Sequence, residues 1–287
     1  MTSEFTKEWT RLLGTSEESA STLTTGVDGY IYVSGWTEGN LNGETNNSNY
    51  ENSDAFLVKY HPNGTLEWTR LLGTTSLERA WGSTTGKDGS IYISGYTFGS
   101  LDGLDNKGQD AFITKFNPDG TKEWTRLVGS IYGDYGKELT TGNDGSIYIS
   151  GHTLGNIDGE LNNGPNNKYD AFITKFNPDG TKEWTRLLGT AVYDYAQDLT
   201  TGKDGSIYIA GSTEGNLDSQ TNNGSSDAFI SKFNPDGTKE WTRLLGTYFS
   251  DSAYGLTTGN DGSIYIAGNT EGNLDSQTNN GSSDAFI

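Results

Sequence analysis

The tetrapeptide EWTR occurs five times, placing Trp9, Trp68, Trp124, Trp184 and Trp241 at intervals of 59, 56, 60 and 57 residues. The tripeptide DAF keeps step with it, starting at Asp54, Asp110, Asp170, Asp227 and Asp284. A period of this size implies a repeat architecture: one supersecondary unit cannot bury its own apolar face and stacks on its neighbours. Each unit offers four strand candidates. In the fourth copy they are AQDLTT (196–201), SIYIAGST (206–213), DAFISKF (227–233) and TKEWTRLLG (238–246). The links between them are turns. In NPDG, Pro178 presets φ, Asp179 suits the next position and Gly180 can take φ > 0, as in a type I turn closed by a bulge. GxDG likewise puts Gly where a left-handed backbone costs least. No link within the unit reads as a helix, so the strands are expected to be antiparallel neighbours.

Four-stranded sheets repeated radially make a β-propeller. The expected fold is all-β, a five-bladed β-propeller of four-stranded antiparallel blades forming one domain over 1–287. Its blades fall at 15–73, 74–129, 130–189, 190–246 and 247–287 plus 5–14. The chain opens on the fourth strand type and closes inside the third. The N-terminal strand is therefore expected to complete the last blade and lock the ring without a covalent bond, removing both exposed edges.

Composition sharpens this. Leu, Ile, Val and Phe number 23, 15, 5 and 11, a poverty that alone would suggest disorder. The 34 aromatic residues and the strict period argue the other way. Net charge is -19, which speaks against nucleic acid, since that partner needs clustered Lys and Arg. Proteins, glycans and cations remain as partners. No apolar run approaches the ~20 residues of a membrane helix, and a monomer is expected. Cysteine is absent, so disulfides and thiolate chemistry are excluded. The opening MTSEFTKEWTR lacks the apolar core of a signal peptide.

The phrases DAFITKFNPDGTKEWTRLLG and DYAQDLTTGKDGSIYIAG resemble the bacterial β-propeller repeat family called SBBP, across all five units. The resemblance implies a propeller fold and a place in a larger secreted or cell-surface bacterial protein. It implies no particular activity, and the seven blades of the family's name exceed the material for five present here.

Candidate sites follow from the repeat. An acid precedes each innermost strand: Glu18, Glu78, Asp134, Asp194 and Asp251. Fivefold placement would make a carboxylate ring able to hold a cation or amine; the alternative is a carboxylate capping backbone N–H groups of its own loop. The long loops alternate oxygen-bearing residues: Asp158, Glu160 and Asn162; Asp218, Gln220 and Asn222; Asp275, Gln277 and Asn279. Such alternation suits Ca2+, the one cofactor considered, although Gly falls a residue late for a standard calcium loop. The alternative there is an Asn/Gly turn held by its own amides. Trp81, Tyr135, Tyr195 and Tyr254 stand near the same end as potential sugar-stacking groups, while Tyr135 and Tyr195 equally suit packing between blades. The EWTR tryptophans are expected to pack on the adjoining blade beneath their Arg. His61 and His152 are expected to be solvated variants.

A non-catalytic binding or scaffolding module is the expected function. A lectin with repeated sites is the alternative, and a glycoside hydrolase a more distant one. Catalysis needs an asymmetric constellation with assigned roles, and near-identical blades supply repeated environments instead.

Overall fold

The computed structural model describes residues 7–14, 16–47, 52–165 and 168–287. They form five antiparallel sheets, taken in chain order. The first holds β1 (Glu18–Thr25), β2 (Ile31–Thr37), β3 (Asp54–Tyr60) and β4 (Leu66–Leu72). The second holds β5 (Glu78–Thr85), β6 (Ile91–Thr97), β7 (Asp110–Phe116) and β8 (Lys122–Val128). The third holds β9 (Asp134–Thr141), β10 (Ile147–Thr153), β11 (Asp170–Phe176) and β12 (Lys182–Leu188). The fourth holds β13 (Asp194–Thr201), β14 (Ile207–Thr213), β15 (Asp227–Phe233) and β16 (Lys239–Leu245). The fifth has three strands, β17 (Asp251–Thr258), β18 (Ile264–Thr270) and β19 (Asp284–Phe286).

The turn chemistry is as expected. Gly180 has φ 80° and donates its N–H to Asn177 O at 2.8 Å, and the ladder slips by one residue at Lys175/Phe176, where the bulge lies. Gly205 has φ 83° in the GKDG turn. The core lies between sheets. Ile113, Trp124 and Val128 of the second sheet, for example, pack on Leu139, Ile149 and Phe172 of the third.

Two sets of polar contacts tie successive sheets together. Along the inner strands, Thr85 Oγ1 donates to Thr25 O, Thr141 to Thr85 O, Thr201 to Thr141 O and Thr258 to Thr201 O, at 3.1–3.3 Å. On the outside, Trp68 Nε1 donates to Pro118 O and Arg70 Nε to Gly120 O of the next sheet's turn. Trp124 and Arg126 do the same to Pro178 and Gly180, and Trp184 and Arg186 to Pro235 and Gly237. Each guanidinium also stands 5.3–5.6 Å over its tryptophan. EWTR is thus an inter-sheet clamp.

Residues 7–14 form no strand. Trp9 Nε1 donates to Pro62 O at 2.9 Å and Arg11 Nε to Gly64 O at 2.9 Å. These are the clamp contacts an outer strand makes on the sheet that follows it. Among the described residues no ladder joins 7–14 to β19, which pairs with β18 alone. Residues 5 and 6 of the expected closing strand lie outside the described residues.

Candidate functional site

Antiparallel alternation brings two kinds of loop to one end of every sheet, called the top here: the long loop from second to third strand and the link into the next sheet. The recurring acid opens each inner strand there. Glu78, Asp134, Asp194 and Asp251 are fully buried. Each caps its own loop. Asp134 Oδ2 accepts from Ser130 N at 2.7 Å and Ser130 Oγ at 3.1 Å; Asp194 and Asp251 do likewise with Thr190 and Thr247. Glu78 accepts from Thr74 N and Thr97 Oγ1, and Glu18 from Ser16 N and Thr37 Oγ1.

A second acid meets the same loop. Asp110, Asp170 and Asp227, from DAF, are also buried. Their carboxylates lie against Gly129, Gly189 and Gly246, where a Cβ would come within 2.1–2.3 Å of a carboxyl atom. Glycine is required there by close approach, and this explains the recurrent [LV]-G-[ST]. Two carboxylates thus converge on one Gly-[Ser/Thr] dipeptide at each junction. Burial pushes Asp170 and Asp134 up to about 7 and Asp194 up to about 6, with hydrogen bonds pulling the other way and a neighbouring carboxylate adding to the rise.

The long-loop residues have partners within the chain. Asp158, at φ 55°, accepts from the Lys182 ammonium and from Thr185 Oγ1; Asp218 accepts from Lys239 and Thr242. Glu160 pairs with Arg186 at 3.3 Å. Asn162, Asn222 and Asn279 donate Nδ2 to Thr153 O, Thr213 O and Thr270 O at 2.8–3.0 Å and accept from Gly164, Gly224 and Gly281 N–H. Gln220 and Gln277 close the turn through backbone N–H to Leu217 O and Leu274 O. Asp275 and Gln277 line a cleft beside the edge of β19. Among the described residues, no three carboxylate or imidazole groups come together as a metal cluster.

Three of the four aromatic candidates come together. Tyr135 stacks on Trp81 at 5.8 Å and on His152 at 5.1 Å, and Tyr195 meets His152 edge-on at 5.1 Å. They stand between sheets as an aromatic layer. Tyr254 lies outside that layer, 57 % exposed. His152 is the correction: it is buried rather than solvated, its Nδ1 has no partner, and burial pushes it down to about 3. Sequence reading also missed Tyr96 and Tyr169 in this layer, the Lys137 ammonium 3.7 Å over Trp81, and two inner-strand carboxylates. Asp198 bridges to Leu256 N at 2.6 Å, and burial pushes Glu138 up to about 8. A signal existed. Arg79/Tyr96, Tyr135/His152 and Tyr195/Ser212 are cross-strand pairs at positions where otherwise near-identical repeats differ.

Open clefts recur along the top. One of about 760 Å³ is lined by Thr74, Ser76, Phe98, Ser100, Asn106 and Lys107. The next, of about 530 Å³, is lined by Lys107, Ile131, Tyr132, Asn156 and Asn162. A third, of about 400 Å³, lies between Asn222, Asn223 and Tyr248. Phe98, Tyr132 and Tyr248 are exposed at these rims. An aromatic face beside amide groups can hold a ring with polar edges.

Comparison with known proteins agrees with the architecture. The chain is 26% identical over 206 residues to the regulatory protein FlaEY of Caulobacter vibrioides, covering 66% of this chain and 21% of the relative. It is 25% identical over 292 residues to an uncharacterized WD repeat-containing protein, L264, of Acanthamoeba polyphaga mimivirus, covering 76% and 21%. The chain therefore spans about a fifth of the length of these curated relatives. A solved structure of a protein of unknown function from Dyadobacter fermentans aligns with a TM-score of 0.50 at 11% identity, over 89% of this chain and 76% of that one, a likeness of fold alone. A β-propeller domain of unknown function, DUF5122, matches residues 202–240. The β-propeller repeat SBBP matches residues 183–218 and 240–275, in agreement with the resemblance of the repeat phrases to that family.

Proposed function

We propose that this chain is a non-catalytic, multivalent binding module and that its top face is the recognition surface. The recurrence of aromatic-rimmed clefts at three sheet junctions supports this most directly. The relative described as a WD-repeat protein fits a binding role. Exposed Tyr132 and Tyr248 beside Asn156, Asn162 and Asn222 favour a glycan: aromatic faces stack on sugar rings while amides meet hydroxyls. Weak sites repeated on one rigid array gain avidity. The setting we assign is a larger secreted or surface protein of a bacterium. A glycan array tests the reading. The protein is expected to bind an oligosaccharide without turning it over, and Tyr132→Ala with Tyr248→Ala to weaken binding at least tenfold. Sugar release would replace a module with a hydrolase; an empty array would remove the glycan.

We also infer that the five sheets close into a ring through residues 7–14. Asp158 and Asp218 each hold a Lys and a Thr of their own fourth strand. Asp275 is their counterpart in the three-stranded fifth sheet, and Lys7 and Thr10 have the spacing of Lys182 and Thr185. By the register of Leu188 with Ala171 and Leu187 with Phe172, Leu13 would face Ala285 and Leu12 would face Phe286.

A further inference from the structure

At two of the junctions both acids of the pair keep a buried oxygen that meets no donor. At the junction of the second and third sheets, Asp110 and Asp134 approach the Gly129–Ser130 peptide from two sides. At that of the fourth and fifth, Asp227 and Asp251 do the same to Gly246–Thr247. Each carboxylate has one satisfied oxygen: Asp110 accepts from Lys107 N, Asp227 from Asn223 N, and Asp134 and Asp251 from their loop residues. In all four, Oδ1 is buried and meets no donor. The hydroxyls nearby are engaged elsewhere: Thr153 and Thr270 donate to Gly155 O and Gly272 O, with Thr153 also bearing on Asp134. At the junction between them Thr213 Oγ1 reaches Asp194 Oδ1 as well as Gly215 O, and Asp170 Oδ1 alone meets no donor.

Leaving a buried carboxylate oxygen unmet is costly, and two like charges side by side cost more. Lys107 bears on Asp110 only through its charge and its backbone N–H. Buried charge is normally paired or bound to metal. Oxygen-only, doubly anionic sites suit hard cations, which also accept main-chain carbonyls and water. We propose that these two junctions are cation sites, each holding one Ca2+ between the paired aspartates: Asp110 with Asp134, and Asp227 with Asp251. The ion would add a bond between two adjacent sheets beside the Asp134 N–H to Gln109 O and Asp251 N–H to Ser226 O hydrogen bonds.

The test uses the full chain stripped with EDTA. CaCl2 is expected to raise Tm by about 5 °C at saturation, as binding to the native state alone requires, and calorimetry to count two ions per chain. Asp110→Asn with Asp227→Asn keeps an acceptor for the loop N–H and is expected to fold yet lose both ions. Tb3+ luminescence, sensitised by nearby tyrosines, reports binding separately from stability and should vanish in that variant. An unchanged melt with no bound Ca2+ would overturn the proposal. So would a shift reproduced by NaCl of equal ionic strength, or full binding retained by the double variant.

Discussion

Single residues decide the chemistry of the top face. The acid before each inner strand was legible as a carboxylate near loop N–H groups, and the capping alternative matches what Asp134, Asp194 and Asp251 do. Their approach to a second acid was not legible, because Asp170 and Asp194 are 24 positions apart and meet only through packing. The burial of these acids, with a smaller contribution from neighbouring carboxylates, has a pH signature. Asp134, Asp170 and Asp194 have folded values pushed up to about 7, 7 and 6 from 3.8. Between those limits the folded chain binds more protons than the unfolded one. Their stabilising contribution is complete below about pH 4, declines as pH rises to about 7, and is flat beyond. Melts in EDTA across pH 4–8 are expected to show this decline. Asp170→Asn should flatten it by more than ~1.4 kcal/mol, the worth of one tenfold change in proton affinity; an unchanged slope would mean Asp170 is ionised throughout.

At the scale of elements, the strands and their turns were readable because each rests on local chemistry: Gly180 and Gly205 take positive φ where NPDG and GKDG require it. The loops were harder. Alternating Asp, Glu and Asn suggested ligands, yet Asn162 points its amide back at Thr153 O, and Asp158 meets Lys182. Spacing reveals which residues share a loop and leaves side-chain direction open. Asn162 therefore reads as the pin of its loop. Asn162→Ala strips two donors and one acceptor from partly buried main-chain partners, and losing such bonds costs about 1–3 kcal/mol. Chemical denaturation should show a loss of that size with the m-value unchanged, whereas Asn47→Ala, at an exposed position, should cost little.

For the whole molecule, each sheet relies on its neighbours: the Thr25–Thr258 ladder and the Trp–Arg clamps run from one sheet to the next. Leu12 and Ile287 remain almost fully exposed at the two ends, apolar surface that ring closure would cover. The chain has no cysteine, so a pair can be added cleanly. Leu13→Cys with Ala285→Cys is expected to form an intramolecular disulfide in a monomer and to raise Tm, visible by non-reducing gel and calorimetry. Crosslinks found only between molecules would show that 7–14 pairs in trans and would end the five-bladed ring.

The repeat, the strands, their turns and the all-β class were determined by sequence alone, because each depends on residues close along the chain. Tertiary structure alone decided which carboxylates face one another, that His152 is buried in an aromatic layer, and that the EWTR clamp reaches the next sheet's turn. Those outcomes depend on how neighbouring sheets stack, and stacking joins side chains more than fifty residues apart, as in Arg126 with Gly180, whose meeting no local pattern encodes.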